Sequence, residues 1–148
     1  MLTFAFSVLH FCIDGICAAA LYARFSSGSD AAFRFLLYNF CAFVLQLPVG
    51  VILDRLLPRT TKKLPCVFAF AGSLLTLLGA FTSPVILGIG NAFFHVGGGV
   101  GTILEDRFHK SDGRRLGIFV ARERWDSFSG NWQQKTGAIP PGCCFLTA

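Results

Sequence analysis

The chain has 148 residues, of which 53% are hydrophobic, only 14% are charged and 17 are Phe, whereas soluble domains carry about 25% charged residues. The apolar residues gather into runs of about 18 to 22, long enough to cross the roughly 30 Å hydrocarbon core at about 1.5 Å per residue, which excludes an ordinary soluble domain. The 13 Lys and Arg outnumber the 8 Asp and Glu, for a net charge of +5. Most of them fall in the gaps between apolar runs, a pattern that orients helices in a lipid bilayer and argues against nucleic acid as a partner.

In chain order, the first run covers 2–23 and carries His10 and Asp14. It lacks a basic leader and is too long for a signal-peptide core, so it reads as a retained helix. A second span is predicted over 35–53, with Asn39, Gln46 and Pro48 inside it; Pro48 removes a backbone donor and should kink or loosen that helix. The third, over 64–81, has only Ser73 and Thr76 as polar members. A fourth opens at Pro84, a favourable first helical residue, and runs over 84–104 through Asn91, His95 and a series of glycines. Residues 105–115 read as a polar, basic loop, and 116–121 as the start of a fifth helix. That run stops at four charges within residues 122–126, which hydrocarbon would not accept. The remainder, 122–148, is expected to be a flexible tail outside the bundle. The expected fold is therefore all-α: a polytopic membrane bundle over 1–121, with four spanning helices and the beginning of a fifth.

Charge in the gaps predicts direction. Arg24 and Arg34 stand in the first gap and no basic residue in the third, whereas Arg55, Arg59, Lys62 and Lys63 crowd the second, and Arg107, Lys110, Arg114 and Arg115 follow the fourth helix. The positive-inside bias then places the second gap, the post-helix segment and the amino terminus in the cytoplasm. The six cysteines follow no metal-ligand spacing, so no metal site and no cofactor are expected from them.

Ionisable groups inside a membrane are costly and mark pathways, relays or buried partners. His10 and Asp14 share one helix face at i, i+4, and Asp14 lies about 18 Å along its helix from Leu2. Asn91 and His95 repeat that spacing, with His95 about 16 Å from Pro84. Two antiparallel helices would thus present polar pairs at one depth, as a proton relay or as simple cross-bundle hydrogen bonds. His10, Asp14 and His95 also have the chemistry of zinc ligands, although spacing does not bring them together. Gly97 and Gly101 form a small-xxx-small pair, widened by Gly88, Gly90, Gly98 and Gly99, a surface for close helix packing. Gly50, Asp54 and Arg55 close the second helix: a glycine that admits a close neighbour, then an acid and a base at a helix end.

Gly50, Asp54, Arg55 and Arg59 coincide with the signature G-x-x-x-D-[RK]-x-G-[RK]-[RK], with Leu57 and Pro58 departing from it. In this the chain resembles the major facilitator superfamily of secondary transporters. The run from Gly88 to His95, ending in Phe94-His95, looks like the fourth helix of the fosmidomycin-resistance type of exporter within it. The resemblance covers about residues 1–121. It implies that Asp54 and Arg55 belong to a cytoplasmic gate, and that the first and fourth helices, with His10, Asp14, Asn91 and His95, line a central cavity. A whole transporter of this kind has two six-helix halves with substrate between them, so the chain reads as the amino-terminal part of a truncated or frame-shifted permease, or one completed by a partner subunit. The expected activity is proton-coupled movement of a small solute, not enzymatic turnover. The competing readings are a small membrane protein that binds a partner through its glycine face, and an intramembrane metal enzyme.

Overall fold

The computed structural model describes residues 2–56, 63–110 and 113–119. The segment 122–148, the end of the expected fifth helix, and Leu57, Pro58, Arg59 and Lys62 lie outside the described residues. Helix α1, Leu2–Ala20, runs into a π turn at Leu21–Phe25. Helices α2, Ala31–Asn39, and α3, Gln46–Leu56, are joined by a second π turn at Phe40–Val44. Then come α4, Lys63–Thr82, α5, Pro84–His109, and the short α6, Arg114–Phe119. The described residues contain no strand. Four stretches, Thr3–Phe25, Ala31–Leu56, Lys63–Thr82 and Pro84–His109, are long and apolar enough to cross a membrane, consistent with a multi-pass membrane protein.

The irregular second span has a local cause. Pro48 has no N–H to donate to the carbonyl four residues back, at Val44, and a proline ring inside a helix crowds that carbonyl; the π turn ends at this residue. The Gln46 side-chain amide donates to the Ala42 carbonyl at 2.8 Å and so occupies an acceptor within the loosened turn. The third and fourth spans are linked by one residue, Ser83, whose hydroxyl accepts from Val85 N at 3.2 Å while Pro84 takes the first helical position. So short a link makes α4 and α5 antiparallel neighbours, and they share the largest interface of the bundle.

Helix α5 is the hub. Of its most apolar window 56% is buried, against 28%, 28% and 33% for the other three spans, and it touches α1, α2, α3, α4 and α6. Small residues allow this. A Cβ on Gly97 would meet Ala69 N at 2.4 Å, one on Gly90 would meet Thr76 N at 2.3 Å, and one on Gly101 would press on the Phe6 ring. Gly97 thus lies against the α4 backbone and Gly101 against the Phe6 ring, whereas a Cβ on Gly99 would find nothing within 4 Å among the described residues. Phe4, Phe11, Phe33, Phe43, Phe70 and Phe81 point outward with more than half their surface exposed. An apolar exterior this extensive, around helices that meet closely at glycines, suits lipid as the surrounding solvent.

The two ends of the bundle are marked by contacts between distant residues. Arg24 at the end of the first span donates to the Phe81 carbonyl at 3.2 Å, and its guanidinium lies over the Phe81 ring. At the other end Thr3 Oγ1 donates to Glu105 Oε2 at 2.7 Å. Alternating helix direction then collects Arg24 and Arg34 at one end and Arg55, Lys63, Arg107, Lys110, Arg114 and Arg115 at the other.

This end corrects the expectation of a loop over 105–115. Helix α5 continues five residues past 104 and stops only at Lys110, whose φ of 48° is left-handed. Glu105 and Asp106 are buried. Glu105 pairs with Arg115 at 2.8 Å, and Asp106 accepts from the backbone N–H of Arg115 and Leu116, each at 3.3 Å, capping α6 from another helix. The acids are stabilised here by donors that the chain folds back to supply. Glu105→Gln keeps the shape and the Thr3 contact but removes the charge that Glu105 sets against Arg115. It is expected to lower stability by about 1–2 kcal/mol, between the value of an exposed ion pair and the cost of breaking a fully buried one. Unfolding midpoints in detergent would measure this; an unchanged midpoint would mean that α6 docks without the pair.

Candidate functional site

The polar faces of α1 and α5 meet. Asp14 stands between two imidazoles, with Oδ2 3.3 Å from His10 Nε2 and Oδ1 3.2 Å from His95 Nε2. The His10 and His95 rings lie edge to face, their centroids 4.6 Å apart. Side-chain exposures of 13% for His10, 25% for Asp14 and 23% for His95 leave the cluster partly open to a small molecule or ion.

His10 is oriented by α6. Its Nδ1 lies 2.9 Å from the Phe119 carbonyl oxygen, and its ring stacks on the Phe119 ring at 4.7 Å. A carbonyl only accepts, so Nδ1 carries a hydrogen in this contact. Nε2, facing Asp14, is then a lone pair if the ring is neutral and an N–H if it is charged. A lone pair against an ionised carboxylate oxygen is repulsive, so the arrangement is satisfied when Asp14 and His10 hold an additional proton between them. His95 Nε2, as an N–H, donates to the other oxygen of Asp14.

Asn91 lies one turn from His95, but its amide turns toward the second span. Its Nδ2 donates to the Tyr38 hydroxyl at 3.1 Å, and the Cys17 thiol of α1 lies near that hydroxyl. Asn91 Oδ1 is buried and has no hydrogen-bond partner among the described residues. Tyr38 thus ties three spans together next to the triad. Three participants are absent from the expected set: Cys17, Tyr38 and Phe119. Cys17 lies three residues after Asp14, on the same helical face, and a tyrosine hydroxyl inside an apolar run requires a partner; these were the available signals. Nothing in the sequence marks the Phe119 carbonyl.

Gly50, Asp54 and Arg55 are not brought to this site. A Cβ on Gly50 would find nothing within 4 Å among the described residues, and Asp54 and Arg55 are exposed at the end of α3. No protein-family model matches the chain, and neither a curated protein nor a solved structure does.

Proposed function

We propose that the chain is the amino-terminal part of a secondary-active membrane transporter of the major facilitator type, moving a small solute by proton-coupled alternating access. The observation that carries this reading is the meeting of His10, Asp14 and His95, contributed by two antiparallel spans near mid-depth, where ionisable groups are rare unless they serve a pathway. In this proposal Asp14 and His10 share the transported proton, and His95 and Asn91 line the solute cavity. Gly50, Asp54 and Arg55 belong to the cytoplasmic gate, and the amino terminus is cytoplasmic. A second half or partner subunit completes the solute path. The partner-binding alternative loses much of its surface, since Gly90 and Gly97 already meet α4 within the chain.

Accessibility in a full-length transporter carrying this amino-terminal sequence, with native cysteines replaced, tests orientation and mechanism together. An impermeant thiol reagent added outside should label a Cys placed at Ser29 or Ser83 and spare one at Thr61 or Ser111, with the reverse from inside. A Cys at His95 should be labelled from both sides, because alternating access opens the cavity to each in turn. External labelling at Thr61 would defeat the orientation. Labelling of the His95 position from one side only, with and without solute, would defeat alternating access.

A further inference from the structure

We propose that His10, Asp14 and His95 form a binding site for a divalent transition-metal ion of the Zn2+ class. The ligand atoms of all three lie within 4.8 Å of one another. With bonds of about 2.0–2.2 Å, a tetrahedral zinc ion separates its ligand atoms by about 3.3–3.6 Å. Asp14 Oδ2 lies 3.3 Å from His10 Nε2 and Asp14 Oδ1 lies 3.2 Å from His95 Nε2, so turning one carboxylate oxygen between the two imidazoles brings the three ligand atoms toward that spacing. The remaining closure, from at most 4.8 Å, falls to the side-chain torsions of His10, Asp14 and His95.

The ligand chemistry selects the class of ion. Two imidazoles and one carboxylate suit zinc and its first-row neighbours, while magnesium and calcium take oxygen ligands almost exclusively. The support around the ligands is of the kind metal sites use. A ligating histidine commonly donates its other ring N–H to a carbonyl or carboxylate, which fixes the tautomer and turns the remaining lone pair to the metal. His10 does this through Nδ1 and the Phe119 carbonyl, so Nε2 faces the centre of the cluster. Three protein ligands with partial exposure leave room for a water or an exogenous ligand on the ion, as in an exchangeable site rather than a closed structural one.

The site requires the triad and no gradient, so it stands apart from the transport reading. The test uses the full chain in detergent with Cys143→Ser and Cys144→Ser, so that the adjacent thiols near the carboxyl terminus cannot take up metal. Titration with zinc chloride should show one ion per chain and a thermal midpoint that rises with zinc concentration, as for any ligand that binds only the folded state. Cobalt(II) should give the visible bands of a tetrahedral ion without a thiolate charge-transfer band. His10→Ala, Asp14→Asn and His95→Ala should each weaken zinc binding by more than about 100-fold, since loss of an outer-shell partner alone costs about 10–100-fold. Cys12→Ser should change nothing. His95→Cys should retain binding and add the thiolate band, a gain that misfolding cannot imitate. Zinc affinity unmoved by the three ligand substitutions, absence of stoichiometric uptake, or His95→Cys binding cobalt without the thiolate band would each overturn the proposal. If the chain binds no zinc while a full-length transporter carrying this amino-terminal sequence loses proton-driven accumulation on Asp14→Asn, the metal site falls and the transport reading stands.

Discussion

Asp14→Asn, introduced into a full-length transporter with this amino-terminal sequence, is expected to abolish proton-driven solute accumulation while exchange of solute down its own gradient survives. The amide fits where the carboxylate is. Its oxygen accepts from His95 Nε2 as Asp14 Oδ1 does now, and its NH2 donates to the His10 Nε2 lone pair while Nδ1 remains on the Phe119 carbonyl. The substitution therefore satisfies the hydrogen bonding of a neutral His10 and removes the need for the extra proton. A transporter that can bind its solute but has no proton to exchange becomes an equilibrative carrier. His95→Ala acts differently: it deletes the link from α5 to Asp14 and leaves the Asp14–His10 pair, so weaker solute binding is expected with coupling retained. Counterflow and accumulation measured in the same proteoliposomes separate the two outcomes. Full accumulation by Asp14→Asn at wild-type expression would return Asp14 to a structural role and move the coupling group elsewhere in the transporter.

The second large effect concerns packing. Gly97→Ala should destabilise the bundle by about 3 kcal/mol or more, at the upper end of what overpacking costs. The added Cβ would lie 2.4 Å from Ala69 N and 2.7 Å from Pro65 O, and both obstacles are backbone, which no rotamer change removes. Helices α4 and α5 would have to separate along their whole interface, which also moves His95 away from Asp14. Gly99→Ala, two residues away with nothing within 4 Å, should leave stability within about 1 kcal/mol or raise it slightly through the better helix propensity of alanine. Unfolding in detergent compares the pair directly. Equal midpoints for Gly97→Ala and wild type would mean that the α4–α5 contact is looser than the atomic distances require.

Much of the site was legible as positions rather than as contacts. The i, i+4 spacing of His10 and Asp14 defines one face of α1, and chain length sets its depth. What spacing leaves open is the rotation of α5 about its axis, and that rotation decides whether His95 meets Asp14 or turns toward lipid. Packing settles it: the close approaches at Gly90 and Gly97 seat α5 on α4, and with that face committed His95 turns to α1 while Asn91 turns to Tyr38. The same limit explains the misread end of α5. Charge density over 105–115 resembles a loop because isolated charges are costly in a bundle, and only the return of the chain through Gly113 into α6 brings Arg115 to Glu105 and two backbone N–H groups to Asp106.

By itself the sequence determined the all-helical character, the four stretches long and apolar enough to cross a membrane and the helix faces that carry polar groups, because hydropathy, helical period and bilayer thickness act along one dimension. The irregular turn before Pro48 was also local, since it follows from one missing N–H and one ring. Only the tertiary structure decided that Asp14 is held between two histidines, that the Phe119 carbonyl orients His10, and that Glu105 and Asp106 anchor α6. Each of these joins residues from separate helices, and their relative rotation is set by which small residues let backbones touch, a property of pairs of surfaces that no single helix carries.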